Sequence, residues 1–219
     1  MEIQICTSNL MGSHMYIVVE AGHGLLLDPV AGESTAYMLK EQGLRLDFII
    51  LTHEHCDHCA GAADLQQFFK CPILASKACA KSLMDARMNY SHFFNALCSV
   101  QTKLNTPGDV PHMEDFTLQV DETFSGQTSF NWQGHAIFLR ETPGHSPGSI
   151  CILIDNKYLF SGDTLLWGEK TITRFLGGNK QDLVTKTLPW LESLDSEIHV
   201  YPGHLQEFRL GDRLKTKII

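Results

Sequence analysis

Several familiar features are missing from this 219-residue chain, and each absence narrows what it can be. Lysine and arginine number 17 against 25 aspartate and glutamate, a formal net charge of -8, and the basic residues nowhere gather into a run. A chain without a basic patch has little to offer a phosphate backbone, so no nucleic-acid partner is expected. No stretch approaches the roughly eighteen uninterrupted apolar residues of a membrane-spanning helix. The opening Met1-Glu2-Ile3-Gln4-Ile5-Cys6 lacks the basic and long apolar regions of a secretory leader. A soluble, cytoplasmic protein without a membrane partner is the expectation. The seven cysteines are odd in number and show no disulfide-like spacing, which fits free thiols in a reducing compartment. There is no low-complexity segment and no linker, and 43% hydrophobic content suits one domain over residues 1–219. The scar-like Gly12-Ser13-His14-Met15 lies between strand-like runs and reads as native sequence.

What is present begins with short β-like runs. Ile3–Ile5, Met15–Val19 and Gly24–Asp28, separated by Gly and Ser, predict a β meander. Residues 33–43 carry helical spacing with Gly43 as a stop, and an apolar strand over 46–51 follows. Helices are predicted over 59–70 and 77–84, flanking a short strand at 72–75. Between 85 and 113 the pattern loosens into a segment rich in aromatics and turn formers, of the kind that closes over a site. The second half is again β-rich, with runs at 116–120, 129–132, 136–139, 150–154 and 158–160, the last two joined by a hairpin at Asp155-Asn156-Lys157. A helix over about 180–193, a strand at 198–201 and a terminal helix complete a layered α/β pattern.

The segment that names a chemistry is Thr52-His53-Glu54-His55-Cys56-Asp57-His58, directly after the 46–51 strand. In an extended segment alternate side chains share a face, so His53 and His55 can grip one ion. Asp57 and His58 follow where the chain turns into a helix and can aim at a neighbouring ion. Imidazole nitrogen and carboxylate oxygen suit zinc, and also iron or manganese. Three further positions, in Thr142-Pro143-Gly144-His145, Ser161-Gly162-Asp163-Thr164 and Tyr201-Pro202-Gly203-His204, each set a histidine or aspartate on a glycine turn at the end of a β-like run. A rigid sheet can hold such side chains while leaving them accessible.

This set of residues resembles the metallo-β-lactamase superfamily and, within it, the glyoxalase II-like hydrolases. The resemblance runs from the Asp28-Pro29 turn to His204 and implies a four-layer αββα sandwich of two mixed sheets flanked by helices. It implies two divalent ions, zinc foremost with iron or manganese as alternatives, the first on His53, His55 and His145 and the second on Asp57, His58 and His204, with Asp163 bridging. A water shared by two such ions loses a proton near neutral pH and becomes the nucleophile. Asp57 is then the catalytic residue that orients the water and takes its proton. The implied activity is hydrolysis of an acyl compound, foremost a thioester such as an acylglutathione, with a small molecule as the substrate partner.

Other readings stand beside it. A persulfide dioxygenase with one iron on the first-site histidines is the alternative oxidoreductase, and lactonase, β-lactamase or phosphodiesterase activity shares the same ligands. A metal-binding sensor without turnover is a third class, against which the intact Asp57 and Asp163 weigh. Only fifteen residues follow His204, so no glyoxalase II-type helical domain is expected, and glutathione specificity is correspondingly open. Arg174, Asn89 and Tyr90 are the candidate substrate-binding residues, the last two within the aromatic segment 87–97. Glu54 is expected to point away from the ions. His14, His23, His92, His112, His135 and His199 match no ligand position and read as ordinary histidines. Cys56-x-x-Cys59 is a candidate redox pair without thioredoxin-like surroundings, and packing thiols are the plainer reading. The sequence does not indicate an oligomeric state.

Overall fold

A computed structural model describes residues 1–9, 11–102, 112–216 and 218. The first strands, β1 (Glu2–Thr7), β2 (His14–Glu20) and β3 (His23–Leu27), form the expected antiparallel meander. Helix α1 (Glu33–Glu41) crosses to β4 (Arg45–Ile50), which pairs parallel with β3. The one-turn α2 (Cys56–Cys59) and α3 (Ala62–Phe69) lead to β5 (Ile73–Ser76), α4 (Lys77–Ser82) and α5 (Ser91–Thr102). Strand β6 (Glu122–Phe124) closes a six-stranded mixed sheet of order β1-β2-β3-β4-β5-β6.

The second mixed sheet is built from β7 (Gln127–Trp132), β8 (His135–Glu141), β9 (Ile150–Ile154), β10 (Tyr158–Gly162), β11 (His199–Pro202) and β12 (Phe208–Arg209). Between β10 and β11 run α6 (Lys180–Asp182), a π-helical turn Leu183–Thr187 and α7 (Leu188–Glu192), and α8 (Leu210–Leu214) follows β12. Asn179 starts this helical run by accepting from Gln181 N and Asp182 N.

Strand alternation sorts the apolar residues into three stacked cores. Tyr16 and Val18 of β2 meet Ile150, Ile152 and Ile154 of β9 between the sheets. Met15 and Ile17 face the other way, onto Ala36, Leu39 and Leu65 of α1 and α3. Cys151 and Leu153 turn outward onto Leu188, Leu191 and Leu210. The layers are therefore helix, sheet, sheet, helix. Each buried Leu or Ile contributes about 1.5–3 kcal/mol, so a rigid double sheet carries the loops at its rim. Among the described residues no helix is long and apolar enough to cross a membrane.

Two sequence expectations differ from the structure. Phe116–Val120 is not a strand: Leu118 N bonds Leu83 O, and Phe116, Leu118 and Val120 pack on the outer helical core. Their alternation is real, but the partner is a helix layer and not a sheet ladder. The segment 85–113, expected as a loop, contains α5, whose buried Phe94 and Cys98 pack on Cys56. Its portion 103–111 lies outside the described residues.

Candidate metal centre

The four chain segments with candidate ligands leave the C-terminal ends of β4, β8, β10 and β11, and so converge on one rim of the sandwich. Backbone bonds bind these segments to one another. Ile150 N donates to Thr52 O at 2.7 Å, Gly203 N to Gly162 O at 2.8 Å and His14 N to Gly203 O at 2.7 Å. Gly162, at φ +49°, approaches Thr52 too closely for a Cβ, and Gly203 approaches Asp163 and His58 in the same way.

His53, His55 and His145 are buried and offer ring nitrogens within 4.8 Å of one another, and a carboxylate oxygen of Asp57 and ring nitrogens of His58 and the half-buried His204 lie within the same distance. His145 Nε2 lies 3.1 Å from His55 Nδ1, and His58 Nε2 lies 3.2 Å from His204 Nε2. Two nitrogens at 2.0–2.1 Å from one tetrahedral ion are about 3.3 Å apart, so both pairs have the spacing of shared ligation. Asp163 stands between the groups, with Oδ2 at 3.6 Å from both His145 Nε2 and His204 Nε2, and Oδ1 at 3.5 Å from His58 Nε2. Asp57 Oδ2 lies 3.4 Å from His204 Nε2 and 3.5 Å from His58 Nε2.

The surrounding groups fix which ring edge faces inward. His145 Nδ1 bonds Ile172 O at 2.9 Å, which leaves Nε2 as the free lone pair. Thr52 Oγ1 donates to Asp28 Oδ2 at 2.5 Å and lies 3.0 Å from His53 Nδ1, so His53 presents Nε2. Buried His53 Nε2 and Asp163 Oδ1, which face the other candidates, have no hydrogen-bond partner. Such orphaned acceptors are costly in a dry site unless a cation takes them. Residues and donor chemistry therefore fit divalent metal ions.

The two groups differ electrostatically. Burial, with His145 beside it, pushes His55 down to about 3, and burial lowers His53 and His145 as well, so this trio is neutral and ready to ligate. Burial also disfavours charge on His58, yet Asp57, Asp163 and Asp28 outweigh it and raise that ring to about 10. His204 is raised against its burial by Asp163 and Asp57.

These features coincide with a sequence match: the family model for the metallo-β-lactamase superfamily matches residues 9–204. The chain belongs to the metallo-β-lactamase superfamily. Among relatives of this superfamily member, the "Probable metallo-hydrolase YqgX" of Bacillus subtilis is 27% identical, over 88% of this chain and 84% of that one. The hydroxyacylglutathione hydrolase GloC of Haemophilus influenzae is 28% identical, over 87% and 84%. Among solved structures, the BLEG-1 B3 metallo-β-lactamase superposes with a TM-score of 0.76 at 22% identity, covering 98% and 97% of the two chains. TTHA1623 in a di-iron-bound form gives 0.73 at 23% identity, covering 97% and 96%. These structures share the fold, and the superfamily hydrolases make this chain an enzyme of metallo-hydrolase type.

Beyond the seven ligand candidates, the sequence expectations fare differently. Tyr90 lines the cavity at the centre, its ring edge-on to His55 at 4.9 Å. Asn89 does not: it is fully buried, donates to Phe116 O and accepts from Ser91 N, and so shapes the turn before α5. Arg174 is exposed and absent from the cavity lining, where its neighbour Phe175 sits instead, 5.5 Å from His55. A loop places adjacent side chains on opposite sides, and here the apolar one faces inward. Glu54 points away from the metal candidates and accepts from Ser146 Oγ at 2.9 Å, tying the His53 and His145 loops together. Cys56 and Cys59 are buried thiols held protonated by burial, with Cys59 donating to Glu54 O and His55 O. That is packing chemistry, not redox chemistry. Asp28 and Thr52 went unassigned in the sequence, and the signal for them was the Asp28-Pro29 turn at a strand end, where Asp28 has φ +52°.

Proposed function

We propose that this chain is a binuclear metal-dependent hydrolase of acyl compounds, with thioesters foremost. The observation that carries the reading is the pair of three-residue groups with Asp163 between them. In this reading His53, His55 and His145 hold the first ion, Asp57, His58 and His204 the second, and Asp163 reaches both. Divalent ions bound there would supply hydroxide near neutral pH and polarise the substrate carbonyl. The chain's own groups do the rest. Asp57 stays anionic because His58 and His204 outweigh its burial, so it can orient the attacking water and accept its proton. Ile172 O and the Thr52 hydroxyl keep His145 and His53 in the ligating tautomer. A thiolate leaves without needing a proton, which suits a site whose inward-facing groups are mostly acceptors. The hydroxyacylglutathione hydrolase relative supports a thioester, and zinc is the proposed metal, with iron the alternative that the di-iron neighbour favours.

Elemental analysis of the purified protein should find about two metal equivalents per chain. Thioester hydrolysis should vanish with a chelator and return with zinc, and Asp57→Ala should lower kcat by roughly 100-fold or more. Full activity in metal-free protein would sink the reading. A single iron with oxygen uptake on a persulfide would replace it with the dioxygenase.

A further inference from the structure

The metal candidates form only the floor of a cavity of about 160 Å³, and its walls carry a second message. Tyr90, Phe94 and Leu97 line one side, at the spacing of successive turns as the chain enters and follows α5. Leu166, Ile172 and Phe175, from the segment after Asp163, line the other. Among the described residues no lysine or arginine lines this space, and its only charged side chains belong to the proposed metal set. The Tyr90 hydroxyl accepts from Leu176 N. At the mouth, Met11, Leu97 and Ile172 are large apolar residues with more than a third of their surface exposed. Clustered exposure of that kind marks a binding surface.

Among the described residues an anionic ligand would find no lysine or arginine on these walls, and only the proposed metal set on the floor could offer it a cation. Carboxylates set against the walls would lose water to Leu, Ile and Phe with no partner in return. An uncharged apolar group meets the opposite balance, gaining about fourfold in binding per buried methylene. A cavity of about this volume accepts a benzene-sized group.

We propose that the acyl group this enzyme accepts is compact, uncharged and apolar, about six to eight heavy atoms, on a carrier that lacks the anionic anchor of glutathione. This rests on the reading of the site as an acyl hydrolase. In the reaction, water oxygen bonds the acyl carbon, the C–S bond breaks with its electron pair on sulfur, and the products are a carboxylate, a thiol and a proton. The walls decide which acyl carbon is brought to that water.

The test is a thioester series on the neutral carrier N-acetylcysteamine, from acetyl through butanoyl to hexanoyl and phenylacetyl, beside S-lactoylglutathione, with metal content measured in every sample. The expected kcat/KM rises about fourfold per methylene to hexanoyl and exceeds that of S-lactoylglutathione by about 100-fold. Leu97→Lys, at the exposed mouth, should lower the hexanoyl to lactoylglutathione ratio by about tenfold with metal content unchanged. Hexanamide, which does not react, should raise the melting temperature more than acetamide or glutathione does. A flat series, or a preference for S-lactoylglutathione, overturns the inference and leaves the hydrolase reading standing. No turnover of any acyl compound by two-metal protein overturns the hydrolase reading. The cavity is then judged on the amides alone, and a hexanamide shift no larger than that of acetamide overturns the inference.

Discussion

Asp28 and Thr52 are joined twice: Asp28 Oδ1 accepts Thr52 N at 2.7 Å and Oδ2 accepts the Thr52 hydroxyl at 2.5 Å. The same hydroxyl oxygen lies 3.0 Å from His53 Nδ1, so a strand-end carboxylate reaches the proposed first ion through one threonine. Asp28 Oδ2 also stands 3.4 Å from His58 Nδ1, which gives it a hold on the second group.

Thr52→Val keeps the volume and removes the relay. Zinc affinity of the first site should fall about 10- to 100-fold, the usual effect of losing an outer partner of a ligating histidine. Stability should drop by about 1–3 kcal/mol, because buried Asp28 Oδ2 loses its hydroxyl donor and keeps only the 3.4 Å approach of His58 Nδ1. Thr52→Ser should restore the affinity. Competition with a calibrated zinc chelator measures the first effect and urea denaturation the second, and unchanged affinity in the valine variant would refute the relay.

Gly203 carries the second prediction. A Cβ there would overlap Asp163 Oδ1 and come within 2.9 Å of His58 Cε1, so Gly203→Ala must push both side chains aside. About 1–3 kcal/mol of destabilisation follows from overpacking. The sharper outcome is metal stoichiometry: the variant should keep the ion of the histidine trio and lose the other. Two tightly held ions in Gly203→Ala would show that Asp163 and His58 are not needed where they stand.

The ligand candidates were legible in the sequence because each one ends a strand-like run on a turn, and turns of Gly and Pro are written in local chemistry. The cavity walls were not. Leu166, Ile172 and Phe175 lie in a segment without periodicity, and whether Arg174 or Phe175 faces inward depends on a backbone path that no spacing rule records. Asn89 shows a related limit: a polar residue amid aromatics looks like a substrate contact, whereas its amide satisfies backbone groups around a buried turn. The layered α/β pattern was readable from the order of strand-like and helix-like runs, and the four-layer sandwich came from the family resemblance. Phe116, Leu118 and Val120 show the limit, since alternation reports which side is buried and not whether a strand is paired.

Glu54 gives a pH-dependent prediction. Its carboxyl is fully buried, with Oε1 unpartnered, and burial raises it to about 7. In the unfolded chain it titrates near 4.3. The folded state therefore resists its ionisation, so the stability associated with the neutral carboxyl is complete below about pH 4 and is lost as pH rises through 7. Glu54→Gln cannot ionise and can still accept from Ser146. In metal-free protein the melting temperature of the variant minus that of wild type should grow from pH 5 to about pH 7 and then level off. A difference that stays constant over that range would show that Glu54 does not ionise in the folded chain.

The contrast between the two histidine groups predicts how metal uptake couples to protons. His53, His55 and His145 are depressed by burial and are neutral at pH 7.5, each with one ring nitrogen already free of a proton, so the first ion displaces none from them. His58 is raised to about 10 against its burial by Asp57 and Asp163, and His204 is raised by the same two carboxylates. An unfolded histidine titrates near 6.5, so the metal-free fold holds a proton on His58 that the unfolded chain has released. That contribution to stability is complete below 6.5 and disappears as pH rises through 10. A metal ion at the second group must expel the proton, because imidazole ligates only when neutral. Zinc titrations followed by calorimetry in two buffers of different ionisation enthalpy should show one to two protons released, all with the second equivalent, and an affinity for that ion that rises about tenfold per pH unit for each proton. Equal proton release with both equivalents would contradict the electrostatic division between the two groups.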